Sequence, residues 1–287
     1  MSQSDDYLLD QTNENTRLLR QHQQLKALIG GLVPPEIDPS RVHSALDLAC
    51  GPGAWALDFA RTYPQAQVVG VDIAKIALAE AKRLATREHL ANVSFAELDI
   101  ARAEGLPFPD SYFDLVWARA VFMHLPAASW EPLLRELYRV LRPNGAIVIV
   151  DTDAQSGSTS NAEYQRLREL LITLAARTGR TARFGPLGPG LLRRAGFGQI
   201  YMHPLLQEWS LQQGDRPVPE DIRRAQANAL SLIANGRAAV VGAKLISAEE
   251  FDQLFEAATQ KFANDRDQVL LEILFVISGR KPAEHQD

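Results

Sequence analysis

From Ser44 onward, short apolar runs alternate with amphipathic stretches. The β-rich runs are SALDLA (44–49), AQVVGVD (66–72), NVSFAELD (92–99), YFDLVWA (112–118) and GAIVIVD (145–151). Helical patterns fill 54–62, 74–87 and 129–142, the last closed by Arg142, Pro143, Asn144 and Gly145. Apolar strands separated by helices predict an α/β fold, a parallel sheet covered on both faces. Ligands of such sheets bind beyond the carboxyl ends of the strands. Asp72, Asp99 and Asp151 each close a run, which predicts three carboxylates on one rim.

Ahead of the first strand, residues 13–32 predict a helix. Leu18, Leu25, Ile29 and Leu32 recur at helical spacing, and Gly30, Gly31, Pro34 and Pro35 end the segment. Beyond Asp151 a polar link, AQSGSTSN (154–161), leads to a helix at 162–178. The loop RFGPLGPG, a short helix ending in AGF (195–197) and a strand at 198–210 follow. Helices at 219–235 and 247–263 precede a last strand at 269–279, so residues 211–267 read as a helical insertion within a resuming sheet.

Composition narrows the function classes. With 287 residues, 46% hydrophobic and 23% charged, the chain can bury a substantial core. The net charge is −5 and the cations are scattered, which speaks against nucleic acid as the main partner. A single cysteine, Cys50, allows neither an internal disulfide nor a cysteine-based zinc site. The start, MSQSDDYLLDQTNENTR, has no cationic and apolar leader pattern, and no apolar run reaches membrane-spanning length. These features predict a soluble cytoplasmic protein without a membrane partner.

The stretch LDLACGPGAWALDFA (46–60) carries the first chemistry. Gly51 and Gly53 can take positive φ and let a ligand approach the backbone, with the N–H groups of the next helix pointing back at it. Residues 51–56 fit G-x-G-x-x-A, a dinucleotide pattern. Asp72 lies 19 residues beyond Gly53, where a carboxylate accepts from ribose hydroxyls and repels a 2′-phosphate. The competing reading of Asp72 is a cap for the helix that follows. Neither feature separates NAD from S-adenosylmethionine. Asp47 lies inside a buried strand and needs a partner, either a cationic ligand atom or loop N–H groups.

With Asp99 and the segment LPFPDSYFDLVWARAVFMHL added, the chain resembles the class I S-adenosylmethionine-dependent methyltransferases. The similarity is to the branch acting on small molecules, the ubiquinone- and menaquinone-type enzymes. VVGVDIA, FAELDI, LRELYRVLRPNGAIVIVD, LLRRAGFGQI and the closing VISGRKP also carry it, in the family's order. The resemblance implies a Rossmann-like, doubly wound sheet of seven strands, order 3-2-1-4-5-7-6, with the last strand antiparallel. It implies an N-terminal helical flap over residues 1–40 and a catalytic domain over 41–287.

By position, the resemblance implies that Asp47, Ala49, Gly51 and Gly53 line the methionine half of the cofactor. It places Asp72 on the ribose, Ile73 and Ile100 on the two adenine faces, and Asp99 on the adenine amine. The main chain at Ala118 would meet the methionine amine, with Arg119 nearby. Ala49 replaces the family's usual glycine, which is tolerable for a negative φ. The leading helix offers Tyr7, Arg17 and His22 as contacts, or else as a solvated amphipathic face.

A sulfonium methyl is already activated, so alignment and water exclusion carry most of the reaction, and a general base is needed only for a protonated acceptor. His124 is the candidate base, with loop fixing as its alternative, and Arg119 a candidate for holding a substrate carboxylate. Phe122, Met123, Trp209 and Tyr7 are candidates for an apolar acceptor pocket, or plain core. Nothing marks His203 or Glu208 as catalytic. Asp151 and Asp153 lack the wider oxygen set of a metal site, and no metal is expected. An NAD-dependent oxidoreductase and a non-catalytic cofactor-binding module are the alternative readings; neither acceptor nor oligomeric state is legible.

Overall fold

The computed structural model describes residues 3–101, 105–181, 183–208, 220–264 and 269–283. The helices are α1 (Gln3–Ile29), α2 (Ala54–Thr62), α3 (Lys75–Arg87), α4 (Trp130–Val140), α5 (Ala162–Arg177), α6 (Phe184–Arg194), α7 (Glu220–Gly242) and α8 (Ala248–Asn264). The strands are β1 (Ser44–Leu48), β2 (Gln67–Asp72), β3 (Val93–Glu97), β4 (Phe113–Arg119), β5 (Leu141–Thr152), β6 (Ser158–Thr159), β7 (Gly198–Glu208) and β8 (Leu270–Arg280). The chain forms two compact units. One comprises Met1–Asp151, Gly185–Leu205 and Phe275–Asp287, the other Thr152–Phe184 and Leu206–Leu274.

In the first unit the sheet order is β3-β2-β1-β4-β5, all parallel, followed by the end of β8, on which β7 pairs. The reciprocal bonds Asn144 N–H to Lys281 O and Lys281 N–H to Gly145 O, both 2.9 Å, set β8 antiparallel to β5. With β7 and β8 counted as strands six and seven, this is the expected order. Leu46, Leu48, Leu115, Ile147, Val148 and Ile149 are fully buried, as a parallel sheet covered on both faces requires. On α4, Trp130, Leu133, Leu134, Leu137 and Val140 form a helical stripe that buries one face.

The start of α2 is fixed by close packing. Gly53 has φ 76°, and a Cβ there would sit 2.8 Å from the Phe95 ring. At Gly70, opposite Phe95 in the sheet, a Cβ would lie 2.6 Å from that ring and 2.9 Å from the Cys50 sulfur. Both glycines make room for one aromatic side chain, which lets α2 and α3 lie against the sheet beside the turn.

In the second unit α5, α7 and α8 share a core of Tyr164, Leu167, Leu170, Ile233, Phe251 and Phe262. Asn161 caps α5, accepting from Tyr164 N–H, and donates to Ala258 O, each at 3.0 Å. The extra strand β6 pairs Ser158 and Thr159 antiparallel with Leu271 and Leu270. This unit takes in α5 and its flanking turns as well as α7 and α8. Helix α7 runs on to Gly242, past Gly236, whose missing side chain admits Leu171 of α5. Among the described residues, no helix is long and apolar enough to cross a membrane.

Gly70→Ala is expected to lower unfolding stability by about 1–3 kcal/mol in denaturant titrations, because the added methyl overpacks Phe95 and Cys50.

Candidate functional site

The carboxyl end of β1 turns sharply into α2. Ala49, Gly51 and Gly53 have φ of 54°, 55° and 76°, three left-handed residues in alternation. Ala49 therefore does not have the negative φ that would make alanine comfortable at this position. A left-handed alanine costs on the order of 1–2 kcal/mol, because its Cβ crowds the following carbonyl. The neighbouring central strand ends the same way: Ala120, just past β4, has φ 53° and donates to Val150 O at 2.8 Å. Two left-handed alanines thus follow the paired ends of β1 and β4, where the sheet order reverses.

The Asp72 carboxylate closes the turn. One oxygen accepts from Gly51 N–H at 2.7 Å, the other from Ala74 N–H at 2.8 Å. The second bond makes an Asx turn into α3, whose cap residue is Ala74. Asp72 is half-buried and each oxygen keeps acceptor capacity for a further donor such as a hydroxyl. Beside it Ile73 is 59% exposed, a large apolar side chain at the rim. Asp99 lies two residues past β3 and accepts from Ala101 N–H at 3.0 Å, with half-buried Ile100 next to it.

Asp47 is 3% exposed on β1 and accepts from the Ala56 N–H of the first turn of α2 at 3.2 Å. Burial pushes its carboxyl up to about 7, against the opposing pull of Arg119 and the Ala56 N–H. Arg119 ends β4, half-buried, and its Nη1 donates to Gln21 of α1 at 3.1 Å. Burial lowers the Arg119 pKa, with Asp47 opposing and Arg17 assisting. Ala118, beside Leu48 in the register, is fully buried. Burial raises the Cys50 thiol well above its ordinary value, which leaves it a packed, unreactive group.

Helix α1 lies over this turn. The Leu18 side chain reaches within 3.5 Å of where a Gly51 Cβ would stand. His22 departs from both expectations, a cofactor contact and a solvated face. It is 3% exposed and its Nε2 lies 3.1 Å from an Asp58 oxygen of α2, which also accepts from Lys26 at 2.9 Å. The His22 hydrogen bond, aided by Lys26 and opposed by burial, holds the Asp58 carboxyl down at about 2. The Trp55 indole donates to Leu32 O at 2.8 Å and fastens the segment after α1 to the same helix. Arg17 pairs with Glu14 on α1. Tyr7 lies on α1, its side chain outside the described residues.

The residues after β4 divide. Phe122 has no exposed surface; its ring meets Trp130 edge-on at 6.4 Å and its carbonyl accepts from the Trp130 indole. It is a core residue, because Asp151 holds the Phe122 N–H at 2.9 Å and turns the ring inward. Asp151 is thereby a buried support within β5 instead of a rim carboxylate. Met123 is half-buried and His124 exposed in the same turn. Trp209 lies outside the described residues, as does the Glu208 side chain. His203 pairs with Glu36 at 3.0 Å. Asp153 is in the second unit, where Arg183 approaches it at 3.6 Å. Among the described residues no three His, Cys, Asp or Glu side chains gather as metal ligands.

Comparison with known proteins follows this geometry. Residues 45–145 match the methyltransferase domain family. Over 113 residues the chain is 43% identical to a demethylmenaquinone methyltransferase of Thermus thermophilus, covering 39% of this chain and 47% of that protein. Among solved structures, a methyltransferase-like protein of Bacillus halodurans aligns with a TM-score of 0.54 at 20% identity, over 92% of this chain and 99% of that one. Phosphoethanolamine N-methyltransferase 2 of Haemonchus contortus, in complex with phosphomonomethylethanolamine and S-adenosylhomocysteine, aligns at 0.51 with 19% identity, over 84% and 49%. At such identities the structural likeness shows the fold. The chain spans about half the length of the curated relatives it matches.

His22→Ala is expected to cost about 1–3 kcal/mol at neutral pH, read by denaturant melts. Asp58 is depressed in the folded protein, so its contribution is full above about pH 4 and is lost as pH falls toward 2. The gap between variant and wild type should therefore narrow across that window.

Proposed function

We propose that this chain, whose residues 45–145 match the methyltransferase domain family, is a class I S-adenosylmethionine-dependent methyltransferase that transfers the methyl group of that cofactor to a small-molecule acceptor. The observation that carries the proposal is the strained turn at 49–53 held by Asp72, within the part of the chain that matches the family.

The donor set fits the cofactor's chemistry. Asp72 offers acceptor capacity to a ribose diol, and Ile73 with Ile100 offers apolar faces to a purine. Asp99 accepts from its amine. Gly51 and Gly53 leave the backbone bare beside the methionine chain, with Ala49 and Ala118 at the ends of the two central strands. Asp47 supplies a counter-charge for the methionine ammonium and Arg119 one for a carboxylate. When bound, the cofactor supplies an electrophilic methyl; the protein orients the acceptor in line with it and excludes water, with no covalent intermediate on the chain. His124, exposed on the loop after β4, would take the proton of a hydroxyl acceptor. Met123 beside it offers apolar surface. Quinol-type rings are the first acceptors to assay, since several relatives are demethylmenaquinone methyltransferases.

Titration calorimetry should show S-adenosylhomocysteine binding and no NADH binding; the reverse would replace this reading with the oxidoreductase one. Asp72→Ala should weaken binding by about 1–3 kcal/mol.

The pH dependence of that affinity is a separate expectation. Asp47 titrates near 7 and pairs with the ammonium only when ionised, so affinity should rise as pH increases through about 7. In Asp47→Asn that dependence should flatten; an unchanged profile would remove Asp47 from the site.

A further inference from the structure

The sheet ends at β3, and among the described residues no proline, bulge or lysine interrupts that edge strand. Edge strands are commonly blunted by a proline, a bulge or a central lysine; β3 reads Val-Ser-Phe-Ala-Glu and pairs in regular register with β2. Val68 N–H bonds to Asn92 O, and Leu98 N–H to Asp72 O, each at 2.9 Å. This parity turns the backbone groups of Asn92, Ser94, Ala96 and Leu98 toward β2. The peptide groups of Val93, Phe95 and Glu97 therefore face outward.

Alongside this edge runs a groove of about 440 Å³, lined by Lys82, Thr86 and His89 from α3 and its end, and by Val93 and Ser94. Lys82 and His89 are exposed, and neither has a carboxylate partner among the described residues. At the other end of β3, Glu97 is exposed and shares only a 3.4 Å ion pair with exposed Lys75. The edge is cationic beside its start and anionic at its finish.

We propose that β3 is a self-association surface, on which a second copy of this chain adds its own β3 antiparallel about a two-fold axis at Phe95. Under that symmetry Phe95 opposes its partner copy, and Val93 opposes Glu97. These are the residues whose peptide groups face outward, so each pair can exchange both backbone hydrogen bonds. Val93, Phe95 and Glu97 share the sheet face that α3 covers. A two-fold axis perpendicular to the sheet keeps faces matched, so each copy's Glu97 enters the groove beside the other's Lys82 and His89. The small side chains of Ser94 and Ala96 on the opposite face leave the approach unobstructed. One strand thus carries both halves of its own complement, as an isologous interface demands.

Sedimentation analysis of the full chain at roughly 10–100 µM, a range where weak dimers populate, tests this. Wild type should sediment with twice the monomer mass. Glu97→Lys brings like charges together and should weaken dimerisation by about tenfold or more. The double variant Lys82→Glu/Glu97→Lys should regain the dimer. All these positions are exposed, and circular dichroism checks the fold of each variant. A monomeric wild type, a dimer indifferent to Glu97→Lys, or a double variant that stays monomeric would overturn the proposal.

Discussion

The bond from the Gly51 N–H to the Asp72 carboxylate ties the ends of two adjacent parallel strands together across the turn that leaves β1. Three alternating left-handed residues would leave their N–H groups converging on one concavity, which attracts negative charge. Asp72 fills part of that concavity from the next strand and braces α3 with its second oxygen. Much of the rim depends on this link. It places Ile73 at the surface, sets the direction of α2, and lets the first turn of α2 meet Asp47. A carboxylate that serves the fold in this way is already held in place for a ligand, so little ordering remains to be done on binding.

The central sheet was legible because a parallel sheet covered on both faces demands uninterrupted apolar runs, and five such runs stand between helical patterns. Boundaries slipped where local signals and tertiary contacts disagreed. Gly236 reads as a helix stop, yet α7 continues through it because Leu171 occupies the space a side chain would need. Arg142 to Gly145 read as the closure of α4 but belong to β5, which starts at Leu141, paired with Phe113. Helix α1 begins at Gln3, ten residues before the helix expected over 13–32.

The candidate site was legible in its acids and glycines and illegible in its geometry. Asp72 stood out because a spacing rule connects it to the turn. Ala49 stood out only as a replacement for the family's glycine and Ala120 not at all, and neither showed its conformation, since alanine gives no sign of a left-handed backbone. His22 and Asp58 lie 36 positions apart on helices whose contact no periodicity announces. Phe122 was a candidate for the acceptor pocket or the core, and Asp151 a carboxylate expected on the rim; the bond between them turns both inward. Trp117 is a similar case. It stacks on Trp55 at 5.1 Å, and its buried indole N–H finds no acceptor among the described residues, a cost that no sequence pattern discloses.

The way α1 is fastened carries a kinetic consequence. Its later half is nailed to α2 through His22 and Lys26, while Leu18, one turn earlier, roofs Gly51. Any molecule that settles on the glycine backbone must arrive while that roof is raised, and departs only when it lifts again. The pace of such exchange would be set by how often one end of a single helix peels away.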